Sequence, residues 1–382
     1  MFVSLIGTWL QSVAQSWLIF KLTNSAFLLG VVGFLSSIPI FLLSLFGGVV
    51  ADRMNKRNIL LFTQSAFMVL AFLLAVLTQT GLIQPWQIMA IAALNGIVMA
   101  FDAPSRQAMV VELVGKEHLL NAIALNSVSF NSSRIIGPAL CGILVATIGM
   151  SGCFYINGIS FLAVIIALLS VKLNHRHKGY KNNTAMNDLK EGLKFIKNNR
   201  LIIILITMVG ISSLFGIPYV ILMPIVANDV LHVGINGLAM LMSSTGFGAL
   251  IAGLALARLG NFKYKGKLLV VSSIIFSISL VLFSLSRNYL FSLFVLALVG
   301  GFSVMAMALV NTLLQTIVDD RFRGRVMSMF MFTFAGFMPF GNLLAGALSQ
   351  AYGVSFTIMI SGVICAAFFI VINTLYPEVK NI

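Results

Sequence analysis

Apolar runs of about twenty residues, the length that crosses a bilayer as a helix, recur along the whole chain between short polar stretches. Because lipid offers no hydrogen bonds to the backbone, such runs are predicted to be helices. The pattern fits twelve spans, at 2–21, 26–51, 58–79, 86–111, 121–148, 153–171, 201–228, 236–257, 267–285, 289–318, 325–350 and 354–376.

The composition excludes an ordinary soluble domain. Hydrophobic residues make up 59% of the chain and charged residues only 9%, whereas soluble domains carry roughly 25% charged residues. The first run lacks the basic start and the small-residue cleavage site of a signal peptide, so we interpret it as a retained first span. The predicted fold class is an all-α polytopic membrane protein.

Charge is distributed unevenly between the two sides of the predicted bundle. With the N-terminus inside, all 24 basic residues except Lys21, Arg134 and Arg287 fall in or beside inner loops. The positive-inside rule then places both termini in the cytoplasm, and we expect a bacterial plasma membrane. The net charge of +14 therefore reports topology, and nucleic acid is not an expected partner.

The longest polar stretch, residues 172–200, separates six spans from six. This predicts an N-terminal bundle over 1–171, a cytoplasmic linker over 172–200 and a C-terminal bundle over 201–382. Within the linker, Leu189, Leu193 and Ile196 recur at helical spacing, which favours an amphipathic helix on the inner membrane surface.

Two short echoes link the halves. "GGVVADRMNKR" after span 2 resembles "AGLALARLGNFKYKGK" after span 8, and "RIIGPALCGIL" in span 5 resembles part of span 11. Parallel six-helix repeats are an architecture of secondary transporters, with the substrate bound between the halves. The matched positions are Gly48 with Gly253, Arg53 with Arg258, Gly137 with Gly341, and Gly142 with Gly346.

The loop between spans 2 and 3 carries a Gly-x-x-x-Asp-Arg pattern followed by two basic residues: Gly48, Asp52, Arg53, Lys56 and Arg57. In this it resembles the major facilitator superfamily, with its twelve spans and two related halves. The resemblance implies a gating loop that latches the halves on the cytoplasmic side in one transport state, its acid facing the start of span 11. The alternative is that this basic loop only sets topology.

Span 5 narrows the resemblance. Gly137, Pro138 and Gly142 match the Gly-Pro-x-x-x-Gly stretch of exporters, and the surrounding sequence is similar to the macrolide-efflux and enterobactin-exporter branch of drug:proton antiporters. This implies export. The alternative is ordinary packing, in which small residues let a neighbouring helix approach closely.

Three charges fall inside predicted spans. Asp102 and Arg106 lie one helical turn apart, so they can pair locally, and Arg134 lies near the middle of span 5. Charges at that depth normally face a partner or a cavity. We hypothesise that Arg134 pairs with Asp102, for structure or for proton or substrate coupling, and that Asp102 is the first candidate to carry a proton.

Span 1 carries Gln11 and Gln15 one turn apart. Amides inside a span prefer a polar neighbour or a water-filled cavity. We interpret them as cavity lining, with interhelical hydrogen bonding as the alternative.

The predicted function is secondary active transport, with proton-driven export of drugs or amphipathic small molecules by alternating access. An importer or facilitator of a small metabolite is the alternative with the same fold. No ATP-binding motif, catalytic constellation or metal spacing is present in the sequence, so we expect neither an enzyme nor a cofactor. The expected partners are a small-molecule substrate, protons and the lipid bilayer, with the protein as a monomer.

Overall fold

The computed structural model describes residues 1–115, 117–170, 195–197, 199–260 and 262–381. These residues form helices joined by short turns, and no strand occurs among them. The helices are α1 Phe2–Thr23, α2 Ala26–Arg53, α3 Lys56–Gln79, α4 Pro85–Val114, α5 (119–148), α6 (150–170), α7 Arg200–Val230, α8 Gly234–Leu259, α9 Lys265–Leu285, α10 Tyr289–Ile317, α11 Asp320–Tyr352 and α12 Val354–Leu375. A short 3₁₀ turn, Pro377–Asn381, follows α12.

Helices α5 and α6 are joined at a single residue. The helical stretch Leu119–Ser170 is interrupted at Gly149, whose backbone has φ 76° and ψ 177°. Residues with a Cβ rarely adopt this positive φ, so glycine is the residue suited to the position. The chain reverses direction there without a loop.

The all-helical membrane class is confirmed. By length and composition, ten helical stretches in the described residues can span a membrane. Helix α1 is not among these ten, and α5 and α6 fall within one of them. The count of twelve spans therefore stays a prediction.

Helix α7 is irregular in its middle. A regular segment, Arg200–Ile211, gives way to a π-helical turn and then to a 3₁₀ segment that starts at Pro218. Proline has no backbone N–H to donate, which breaks the regular ladder of hydrogen bonds. The remaining segments are Met223–Ile225 and the π-helical Val226–Val230.

The helices run between two ends of the bundle, which pack differently. At the far end, where α1 turns into α2, a Cβ added to Gly30 would lie only 2.9 Å from Gly346 Cα of α11, and Ser25 donates to Gln350 at 3.1 Å. At the motif end, where α2 turns into α3, a Cβ added to Gly48 or Gly324 meets nothing within 4 Å. The described helices thus pack closely at the far end, whereas these two glycines of the motif end have no close neighbour.

Most of the predicted linker lies outside the described residues, including Leu189 and Leu193. Its residues 195–197 are helical; Ile196 is buried, and the ring of Phe195 stacks on Phe322 of α11 at 4.3 Å. The amphipathic helix and the domain division at this linker stay predictions.

Candidate functional site

A cavity of about 530 Å³ opens among the first six helices. Its wall comes mainly from α1, α2 and α4, with Ile221 of α7 as the contribution of the second half. This volume suits a drug-sized ligand. Hydroxyl and amide side chains are frequent in the wall, for example Ser36, Asn95 and Asn126.

Both glutamines of α1 lie in this wall. Gln11 is 8% exposed and its Oε1 accepts a hydrogen bond of 2.7 Å from the Nδ2 of Asn157 on α6. Gln15 is half-buried. Gln11 thus fits both interpretations, cavity lining and interhelical hydrogen bonding, because it faces the cavity and also joins α1 to α6.

Asp102 is fully buried in the cavity wall and accepts hydrogen bonds at both oxygens. Its Oδ1 accepts from Thr63 Oγ1 and Gln64 Nε2 of α3, each at 2.7 Å. Its Oδ2 accepts from Arg106 Nε at 3.0 Å and also from Arg106 Nη2. The predicted local pair of Asp102 and Arg106 is present.

Arg134 does not pair with Asp102, so the hypothesis of an ion pair between α4 and α5 is wrong. Both oxygens of Asp102 are taken by α3 and Arg106. The guanidinium of Arg134 lies instead over the ring of Trp9, 5.7 Å from its centroid. This distance is within the range of a cation–π contact.

The two basic residues at the start of α3 hold the first half together. Lys56 pairs with Glu112 of α4 at 2.6 Å. Arg57 donates from Nε and Nη2 to the carbonyls of Leu168 and Leu169, each at 2.7 Å, at the C-terminal end of α6. Arg57 thus ties the start of α3 to the last described turn of α6.

Asp52 and Arg53 are exposed at the motif end. Among the described ion pairs, none joins Asp52 to the start of α11. The role of this loop as the latch implied by the resemblance stays a prediction.

The glycines of α5 lie at two helix contacts. A Cβ on Gly137 would lie 2.5 Å from Trp9 Cβ on α1, and one on Gly142 would lie 3.0 Å from Ala239 Cβ on α8. Their echoes in α11 behave in the same way: Gly341 approaches α7, and Gly346 approaches α2. Pro138 lies inside α5 between the two contacts.

Several members of this site were missed by reasoning from the sequence. Thr63 and Gln64, both at most 2% exposed, complete the shell around Asp102, and Asn157 holds Gln11. The available signal was the pair of adjacent polar residues inside an apolar span. That signal does not say which neighbouring helix the polar residues face.

A helical membrane bundle with a polar cavity and a partly buried ion pair in its wall is the architecture expected of a secondary transporter. Solved structures agree on the fold. The D-xylose–proton symporter matches with a TM-score of 0.78 at 13% identity, over 100% of this chain and 98% of that one. A bacterial homologue of the human lysosomal transporter Spinster, inward-facing and unoccupied, matches with a TM-score of 0.77 at 14% identity, over 99% and 96% of the two chains.

The chain belongs to the transmembrane secretion effector family, which it matches over residues 1–382. It is 30% identical to the staphyloferrin A transporter of Staphylococcus aureus over 95% of this chain and 91% of that protein. It is 24% identical to macrolide efflux protein A of Streptococcus pyogenes, over 96% and 92% of the two chains. It is also 24% identical to the enterobactin exporter of Citrobacter koseri, over 85% and 77%. The predicted superfamily and branch are confirmed.

Proposed function

We propose that the protein exports amphipathic small molecules across the bacterial plasma membrane, driven by protons and by alternating access. Three of the similar proteins are named for a macrolide, for staphyloferrin A and for enterobactin. The observation that carries the proposal is the cavity with the buried Asp102–Arg106 pair in its wall. Import of a small metabolite is the alternative, and no feature of the cavity favours it.

The proposed architecture is twelve spans in two six-helix halves, 1–171 and 201–382, joined by the linker 172–200. The paired glycines support it. Gly137 contacts the first helix of its own half and Gly142 crosses to the other half, and Gly341 and Gly346 repeat these contacts. Gly149 supports the count, because it divides one long helical stretch into two.

The proposed orientation places the motif end and both termini in the cytoplasm. The basic residues of the short loops support it, since such loops tend to stay inside. The far end is closed by the approach of Gly30 to Gly346, and Gly48 and Gly324 at the motif end have no close neighbour. We propose that the cavity opens toward the cytoplasm in this state, where an exporter loads its substrate.

We propose Asp102 as the group that carries the proton. Arg106 stabilises the ionised carboxylate in this state, so protonation requires the ion pair to open. Gln64 can serve both protonation states: its Nε2 now donates to Asp102, and its buried Oε1 accepts no bond among the described residues. A rotated amide would present that oxygen to a protonated Asp102.

The remaining proposed roles follow from position. Gln11 and Gln15 contact the substrate in the cavity. Asp52 and its basic neighbours stabilise the opposite state, in which the motif end closes onto α11. The protein works as a monomer without a cofactor.

The experiment measures accumulation of dyes, macrolides and siderophores in efflux-deficient cells, with and without a protonophore. We expect the protein to lower accumulation of at least one compound and the protonophore to abolish this effect. Asp102→Asn should reduce the rate of export at least about tenfold, which corresponds to an activation barrier raised by roughly 1.4 kcal/mol.

Asp229→Asn is the matched control, because it removes an exposed acid outside the cavity. Export should survive it. Faster entry of a compound, with no faster exit, would overturn export in favour of import. Full protonophore-sensitive export by Asp102→Asn would sink the assignment of the proton to this residue.

A further inference from the structure

Arg134 is a charged residue in the middle of a span without a counter-charge. No carboxylate of the described residues lies within ion-pair distance of it, and its polar side chain makes no hydrogen bond among them. A cation at this depth is costly and normally faces a partner or water. The one carboxylate in the cavity wall, Asp102, is already occupied by Arg106, Thr63 and Gln64.

The surroundings of Arg134 connect it to the cavity. Asn126 and Phe130 precede it by two turns and one turn on the same face of α5, and both line the cavity. Phe130 contacts Trp9 edge to face, with 6.0 Å between the ring centroids. The guanidinium of Arg134 lies over the same Trp9 ring. Arg134 and Trp9 are not themselves part of the cavity wall, and Phe130 is the residue that links this aromatic and cationic pair to it.

Arg134 also lies where the halves meet. A Cβ on Gly246 of α8 would lie 2.7 Å from the carbonyl oxygen of Arg134. Ser243 of α8 donates to the carbonyl of the next residue, Ile135, at 2.9 Å. A ligand held here would contact the surface along which the two halves must move.

We propose that Arg134 binds a carboxylate group of the transported substrate, with Trp9 and Phe130 contacting its apolar part. A guanidinium offers paired donors that match the two oxygens of a carboxylate. The substrate class is therefore an amphiphilic organic anion. This inference rests on the proposed transport function and names the chemistry of its substrate.

The test is binding to the purified protein in lipid nanodiscs, with no gradient. The probes are dansyl-phenylalanine and its carboxamide, which share an apolar body and differ in the negative charge. Trp17→Phe and Trp86→Phe leave Trp9 as the energy-transfer donor, since the chain has three tryptophans.

We expect the carboxylate probe to bind at least about tenfold more tightly than the carboxamide probe, because a charge-assisted bidentate pair forms only with the carboxylate. Arg134→Gln should remove this preference while it still binds the carboxamide, which shows that the variant is folded. Arg134→Lys should keep part of the preference, since it keeps the charge and loses the paired geometry.

Arg287→Gln is the matched control, because it removes one exposed positive charge at the far end, outside the cavity wall. Its preference should equal that of the parent. An undiminished preference in Arg134→Gln, no preference in the parent, or no binding of the carboxylate by the parent at millimolar concentration would each overturn the proposal. Failure of export in cells would leave this binding result standing, so the two proposals fail separately.

Discussion

At the scale of the residue, a few glycines determine how closely the two halves meet. Gly346 in α11 is tightly constrained, because a Cβ there would lie 2.7 to 3.0 Å from Gly30 Cα, Ala26 O and Gly30 N, all of them backbone atoms. Backbone cannot rotate aside as a flexible side chain can. Gly253 in α8 is in the opposite situation, with open space around it.

We therefore expect Gly346→Ala to destabilise the closed far end by about 1–3 kcal/mol, the usual cost of overpacking. Initial transport rates and the labelling of a cysteine at Ser36 by an impermeant maleimide from outside would report the shift. Gly253→Ala should leave both measurements unchanged, and its helix should gain up to about 1 kcal/mol. Equal behaviour of the two variants would contradict the role given to the contact.

At the scale of the element, the start of α3 holds two other helices. Arg57 donates to two carbonyls of α6 at 2.7 Å, and Lys56 pairs with Glu112, whose side chain is 43% exposed. Hydrogen bonds from a charged donor contribute more than an exposed ion pair. The two adjacent basic residues should therefore differ in their contribution to stability.

Arg57→Ala should lower the free energy of unfolding by roughly 1.5–3 kcal/mol, the range for hydrogen bonds that involve a charged group. Glu112→Gln should lower it by at most about 1 kcal/mol, as for other exposed pairs. Equilibrium unfolding of the purified protein in mixed micelles would compare them. If Glu112→Gln lowers the free energy of unfolding more than Arg57→Ala does, the larger role given to the Arg57 hydrogen bonds is wrong.

The helices could be predicted from the sequence because each is a long apolar run, and the observed bounds mostly lie within a few residues of the prediction. The partners of the buried charges could not. Asp102 and Arg106 are neighbours on one helix, so their pairing follows from spacing. Asp102 is bonded to side chains of α3 and not to Arg134 of α5. This outcome depends on how α3, α4 and α5 are rotated about their axes, and a single sequence shows no pattern that predicts the rotation.

At the scale of the whole molecule, the described contacts between the halves include a group at the far end. Gly30 meets Gly346, Ser25 donates to Gln350, and Lys21 donates to Asn228 of α7 at 3.1 Å. Alternating access requires these contacts to separate while the motif end closes. A covalent link across the far end should therefore stop transport.

Cysteines placed at Ser25 and Gln350, in a chain without its three native cysteines, should crosslink with a short bifunctional reagent. Transport should fall to background in the crosslinked protein and return on cleavage of the link. The pair Gly48 and Gly324 is the control, because its surroundings are open here; it should crosslink poorly in the resting protein. Normal transport by the crosslinked first pair would refute a moving far end.

The short turns at the far end determine how much of this protein is accessible from outside the cell. One residue, Gly149, joins α5 to α6; one residue, Gly353, joins α11 to α12; and two residues join α1 to α2. With the proposed orientation, these turns leave very little loop on the outer face that antibodies could bind or secreted proteases could cleave. Such a transporter would expose little of its chain to the medium into which it releases its substrate.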